Sequence, residues 1–191
     1  MPYSKEHKQQ TRDKILHSAF NLFTAKGFDG VTVNQLMQSC KLTRGAFYAH
    51  FSSKAELYSE AIKYWASNSK LAGFKPDQLS GQQWLANLLD GYLSIEHVNG
   101  TTPCPLAFLA TDIVTRDGAA RLAYANAYQG MNRRIIQLAD SYTKCDPQQI
   151  LALTAMIIGT VAIARTMDDE QAIVSLLEAS RREAGLKLGG I

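Results

Sequence analysis

The chain has 191 residues and a mass of 21.1 kDa, enough for one large domain or two small ones and for a core that needs no disulfide or metal staple. Hydrophobic residues make up 46% and charged residues 19%, which excludes a disordered chain. The net charge of +3 is unevenly spread: residues 1–54 hold eight basic and three acidic side chains, a net of +5, and the remainder carries −2. A basic head on a mildly acidic body points to an anionic partner at the N-terminal end.

Glycine and proline are sparse and fall between segments of helical periodicity, and β-branched runs with period-two alternation are nearly absent, so an all-α protein is expected. A first helix is predicted over 9–26, from the apolar stripe Ile15, Leu16, Ala19, Leu22 and Phe23 and the stop at Lys26-Gly27. Thr32 with Gln35 reads as a capping box opening a short second helix, whose buried face is Val33, Leu36, Met37 and Cys40. Lys41 and Leu42 form a tight turn. Thr43 caps a third helix, 44–51, with Phe47 and Phe51 inward, and Ser52 or Ser53 caps a fourth, 54–69. After the polar break 70–81, helices are expected near 81–98, 105–115, 118–142, 147–166 and 169–186, and the Gly-rich tail 185–190 is expected to fray.

Several chemistries find no support. Three widely spaced cysteines, 40, 104 and 145, make no disulfide framework and suit a reducing cytosol. The polar stretch Met1 to Arg12 does not read as a secretory signal. Segment 147–164 carries no charge but includes Pro, two Gln, two Thr and a Gly, and is read as a buried helix rather than a membrane span. HExxH, GxSxG, P-loop and CxxC patterns are missing, and four scattered histidines give no metal spacing. No enzyme, cofactor or metal is therefore expected. His97 beside Glu96, and Asp112 with Arg116, read as solvated surface pairs.

Two short helices joined by a three-residue turn, under a net positive charge, have helix-turn-helix spacing. The full string TRDKILHSAFNLFTAKGFDGVTVNQLMQSCKLTRGAFYAHFSSKAEL resembles the TetR family DNA-binding domain. The resemblance rests on Thr11, Ile15, Ala19, Phe23, Gly27, Thr32, Val33, Leu42, Thr43, Gly45, Phe47, Tyr48, His50, Phe51, Lys54 and Leu57. It implies an N-terminal three-helix DNA-binding domain, residues 1–54, followed by a helical effector-binding and dimerisation domain, 55–191. It also implies a homodimeric, cytoplasmic, ligand-responsive regulator, usually a repressor, bound to palindromic double-stranded operator DNA.

The candidate DNA contacts are Thr32, Thr43, Arg44, Gly45, Ala46, Tyr48, His50 and Lys54. Arg44 matches guanine O6 and N7. Tyr48 and the two threonines offer hydroxyls to phosphates, and Gly45 allows close backbone approach. Lys54 presents charge at the start of the fourth helix. Two positions depart from the family pattern: Lys41 stands where the turn usually has Gly, and Ala49 where many members carry a larger residue.

In the body, Trp65, Trp84, Tyr92, Cys104, Phe108, Tyr124, Tyr128 and Met131 fall on helices that enclose the effector pocket in this family. Aromatic residues at helical spacing are equally the ordinary core. The last two helices, with Ile150, Ile157, Ile158, Val161, Ile173 and Leu177, match the family's four-helix dimer interface, and Gly159 and Ala162 would allow close approach. Cys104, in Pro103-Cys104-Pro105, is expected at a helix N-cap, where the thiolate is favoured. The string PCPLAFLATDIV is similar to the cysteine-containing helix of an electrophile-responsive branch, so an electrophile effector stands beside a noncovalent one. Plain packing is the other reading of Cys104. The reading from a different class is a helical ligand carrier or enzyme without specific DNA binding.

Overall fold

The computed structural model describes residues 4–100 and 103–191. Thr101 and Thr102, which precede Pro103, and the first three residues of the polar N-terminus lie outside the described residues. Among the described residues there are ten α-helices, one 3₁₀ turn and no strand, the all-α class expected. The chain divides into two compact units: residues 1–67 with 108–127, and residues 68–107 with 128–191.

The first unit is built on α1 (Lys5–Lys26), α2 (Val33–Ser39), α3 (Arg44–Tyr48) and α4 (Lys54–Asn68). Helix α1 starts at Lys5, four residues earlier than the expected start at 9, because the Ser4 hydroxyl accepts the His7 N–H and caps a polar first turn. Helix α2 opens with both halves of the Thr32–Gln35 capping box. It closes in a Schellman turn, with Lys41 N–H on Gln38 O (2.9 Å) and Leu42 N–H on Met37 O (2.8 Å). Lys41 takes the left-handed position, φ 55°. At the head of α4, the Ser53 hydroxyl accepts Glu56 N–H (3.0 Å), and the Glu56 carboxylate accepts from Ser52 N–H (2.7 Å) and Oγ (2.6 Å). Those bonds hold the Glu56 carboxyl below its usual range. Ile15, Phe23, Leu36, Met37, Phe47, Leu57 and Tyr58 form the core of the unit. Tyr58 stands edge-on to Phe23 and Phe28 at 4.9 and 5.2 Å.

The second unit contains α5 (Gly81–Tyr92), α6 (Ile95–Val98), the start of α7 (Pro105–Phe108), the second half of α8 (Gly118–Ala139), α9 (Pro147–Ala164) and α10 (Glu170–Lys187). The helix expected over 81–98 is two helices: Ser94 caps α6 by accepting His97 N–H, which turns His97 inward. His97 is therefore buried, not a surface partner of Glu96. The helix expected over 105–115 stops at Phe108 and resumes as a 3₁₀ turn, Ile113–Thr115. Asp146 and Asp169 cap α9 and α10 through their carboxylates. The tail does not fray. Leu188 is buried, Tyr142 donates to Leu188 O (2.9 Å), and Arg181 reaches Ile191 O (3.1 Å).

By length and composition alone α9 is apolar enough to cross a membrane. Ile150, Leu153, Thr154, Ile157, Ile158, Thr160, Val161 and Ala164 are nonetheless buried inside the protomer, and Thr160 bonds Ser180 of α10 (3.0 Å).

Candidate nucleic-acid interface

Helix α3 carries its two faces on five residues. Phe47 is fully buried, whereas Arg44, Gly45 and Tyr48 are exposed, Tyr48 to 58%. Ala46 is half-buried. A β-carbon at Gly45 would meet only Thr43 Oγ1, at 3.9 Å, so the chain's own packing does not demand glycine there. A helical glycine costs about 1 kcal/mol relative to alanine, a cost that close approach of an outside partner would explain.

The remaining candidates are placed differently. Thr43 is the N-cap of α3 but makes no side-chain cap bond, so its exposed hydroxyl is not spent on its own helix as expected. Thr32 is exposed, but its hydroxyl is engaged with Gln35 (3.0 and 3.2 Å). His50 is half-buried; burial first, then the charges of Lys8 and Arg12, push its pKa down. Lys54 is turned inward. Its Nζ donates to Phe28 O and Val31 O, both at 2.9 Å, and stands 4.0 Å from the Phe28 ring centroid. Two of its three donors thus pin the loop between α1 and α2.

Charge counting alone does not reveal two further clusters. The first is a cleft of about 230 Å³ lined by Lys5, Lys8, Gln9, Arg12, Ala49 and His50. Its sequence signal is the i, i+3 spacing of Lys5 and Lys8 ahead of the apolar stripe. The second joins Asp112 to the head. Tyr58 donates to Asp112 Oδ2 (2.6 Å), Phe28 N–H reaches Oδ1 (3.4 Å), and Arg116 lies 3.6 Å from Oδ1. Arg116 also pairs with Asp29 (2.8 Å) and covers the Phe28 ring at 4.6 Å. Asp112 and Arg116 are therefore not a simple helix surface pair. Burial, then the Asp112 bond and charge, drive the Tyr58 pKa far above its ordinary value, so its hydroxyl stays a donor.

The predicted pocket residues fall in both units. Trp65, Phe108 and Tyr124 are in the first, where Trp65 stacks on Phe20 at 6.1 Å. Trp84, Tyr92, Cys104, Tyr128 and Met131 are in the second. There the Tyr128 hydroxyl donates to Leu151 O (3.1 Å) and lies 3.2 Å from Thr154 Oγ1, tying α8 to α9. Trp84 Nε1 is buried without a hydrogen-bond partner among the described residues. The Tyr92 hydroxyl points at Cys104 Sγ (3.7 Å), and its ring packs on His97 at 4.5 Å.

Cys104 does precede α7, but the thiol is not acidified. Burial pushes its pKa up to about 11, against smaller opposing hydrogen bonds from Tyr92 and the Ala107 and Leu106 amides. Four residues align few peptide dipoles, and a fully desolvated thiolate is the costlier form. Cys40 is a core residue, its thiol 3.7 Å from Lys14 O. Cys145 is half-buried.

The six residues assigned to a dimer interface, Ile150, Ile157, Ile158, Val161, Ile173 and Leu177, are all buried within the protomer. A helix apolar nearly all round gives no sequence signal for which face turns outward. The outward stripe of α9 runs through Ala152, Ala155, Gly159 and Ile163, with Ile163 57% exposed.

Residues 15–61 match the family model for bacterial regulatory proteins of the tetR family. The negative transcriptional regulator IcaR of the biofilm operon icaADBC, from Staphylococcus aureus (strain Newman), is 36% identical over 52 residues, 27% of this chain and 28% of that protein. The HTH-type transcriptional regulator YerO of Bacillus subtilis (strain 168) is 33% identical over 60 residues, 31% of this chain and 21% of the relative. The chain thus matches about a quarter of the length of these curated relatives. The reduced form of NemR from E. coli superposes with a TM-score of 0.76 at 17% identity, covering 92% of this chain and 95% of that one. A TetR transcriptional regulator from Legionella pneumophila gives 0.74 at 16% identity, covering 97% and 98%. The N-terminal module is of the tetR family, and the chain has the fold of TetR-family regulators.

Proposed function

We propose that this chain is a cytoplasmic, homodimeric transcriptional regulator, a repressor and not an enzyme. Residues 1–54 bind a palindromic operator, and residues 55–191 bind the effector and dimerise. This boundary separates roles rather than compact units, since α4 and residues 108–127 pack with the head, as the Tyr58–Asp112 bond illustrates. The observation that carries the reading is the exposed Arg44, Gly45 and Tyr48 on a helix anchored by Phe47, with a glycine that the protomer itself does not require.

A dimer supplies two recognition helices spaced ~34–36 Å apart for a two-fold site. The face of α9 around Gly159 supports it, since a β-carbon there would meet nothing within 4 Å. Of the two effectors, the buried and weakly acidic Cys104 favours a noncovalent molecule over an electrophile. The unmet Trp84 N–H adds a donor such a molecule would use.

Fluorescence anisotropy of the protein on DNA upstream of its own gene tests the reading. Binding is expected to weaken steeply with salt, and Arg44→Ala to cost about 1–3 kcal/mol of base discrimination. Equal affinity for operator and scrambled duplex would refute it and favour the carrier alternative.

A further inference from the structure

The cleft between the start of α1 and the end of α3 is lined by Lys5, Lys8, Gln9, Arg12, Ala49 and His50, with no carboxylate in its walls. Of the acidic groups nearby, Glu6 is exposed on α1 and is not among the lining residues, and two others are engaged. Asp13 accepts from Gln9 Nε2 (2.8 Å), and Glu60 is shared by Arg12 (3.3 Å) and Lys63 (2.8 Å). Arg12 is committed as well: Nη1 donates to His50 O (2.7 Å), and the guanidinium covers the Phe51 ring at 4.3 Å. It therefore builds the wall and fixes the backbone of His50, two residues past the end of α3.

Lys5 and Lys8 have no ion pair or side-chain hydrogen bond among the described residues. Lys5, Lys8 and His50 thus line one concave space with no carboxylate among its described lining residues. Ala49 keeps that space open, since a longer side chain at this exposed position would fill it.

We propose that this cleft seats one backbone phosphate of the DNA strand bordering the groove that α3 enters, gripped by Lys5, Lys8 and His50. This makes α1 a second DNA-contacting element and gives a role to the small residue at 49. The inference rests on the DNA-binding reading above. The contact is to phosphate alone, so it adds affinity without reading sequence.

The test is anisotropy on operator and scrambled duplexes between about 50 and 200 mM salt, using wild type, Lys5→Ala/Lys8→Ala, Ala49→Leu and a control, Lys70→Ala/Lys187→Ala, which removes equal charge elsewhere. Loss of the contact lowers the slope of log affinity against log salt by about one per protomer, with the operator-to-scrambled ratio unchanged. The control keeps the wild-type slope. Ala49→Leu, which changes no charge, weakens both duplexes in parallel. Ethylation interference shows one phosphate per half-site that matters to wild type and not to Lys5→Ala/Lys8→Ala.

A slope unchanged in the double variant, or an equal drop in the control, overturns the proposal. Inorganic phosphate that shifts the His50 resonance, while the double variant binds DNA as wild type does, assigns the cleft to a free anion and overturns it too. Wild type that binds no duplex in a salt-dependent way refutes the DNA-binding reading first, an outcome distinct from all of these.

Discussion

Replacing Asp112 by Ala removes the acceptor of the Tyr58 hydroxyl, on a residue that is 1% exposed. Stranding a buried donor costs about 1–3 kcal/mol. Arg116 loses a partner at 3.6 Å but keeps Asp29 and the backbone oxygen of residue 112 (3.1 Å), so that partly exposed pair adds no more than ~1 kcal/mol. The expected loss is about 2–3 kcal/mol, or roughly 5–10 °C in Tm for a chain of this length. Tyr58→Phe is milder, about 1 kcal/mol, because the Asp112 carboxylate is 21% exposed and keeps Arg116. The double variant leaves neither group stranded, so it should be about 1 kcal/mol better than the sum of the two. Urea unfolding at matched protein concentration measures all three, as a dimer's apparent stability depends on concentration. Asp112→Ala within about 0.5 kcal/mol of wild type, or strict additivity, would show that the Tyr58 hydroxyl is hydrated and the reasoning wrong. Because Asp112 also holds Phe28 N–H in the loop before α2, DNA affinity should fall with stability in the same variant.

Further outcomes follow from single groups. Lys41→Gly relieves a left-handed lysine at φ 55°; about 1 kcal/mol of relief, less glycine's entropy cost, leaves a small rise in Tm, while the lost cation lowers DNA affinity. His97 is buried with its pKa lowered to about 4 by burial and then Arg165. The unfolded chain gains a proton near pH 6.5 that the native state refuses until about pH 4. Stability should therefore fall as pH drops through that window, by up to ~3 kcal/mol, and His97→Gln should flatten the fall. A thiol reagent on the native protein should label Cys145 first and Cys104 only on unfolding, because Cys104 is 1% exposed. Gly159→Leu should leave the protomer folded, having open space there, but shift sedimentation toward monomer; an unchanged dimer would place the interface elsewhere.

The head was legible because its signals are local. The Thr32–Gln35 box, the turn at Lys41 and the inward Phe47 each act within a few residues, and each is where the sequence put it. Failures came where tertiary packing decides. Gly91 lies inside the last turn of α5 rather than past its end, so it marks no clear stop, yet the chain leaves the helix at Leu93 and the Ser94 cap begins another, carrying His97 into the core. The inner and outer faces of α9 are both apolar, so Ile157 and Ile163 look alike in sequence although one is 3% and the other 57% exposed. The tail reads as glycine-rich, but Leu188 is a core residue and holds it down.

Cys104 and the basic cleft show the same physics deciding opposite ways. In each, a charged form meets a local favour: a helix start for the thiolate, a ring of cations for an incoming phosphate. The thiol is wholly desolvated, and three weak hydrogen bonds do not offset that, so its pKa goes up to about 11. A phosphate in the cleft keeps one side in water while meeting two uncommitted ammonium groups, so it gives up little hydration for direct pairing. A helix start identifies an anion-favouring position only when enough peptides align and the anion remains partly solvated. Cys104 meets neither condition, and chemistry at its sulfur first requires the thiol, 1% exposed, to be uncovered.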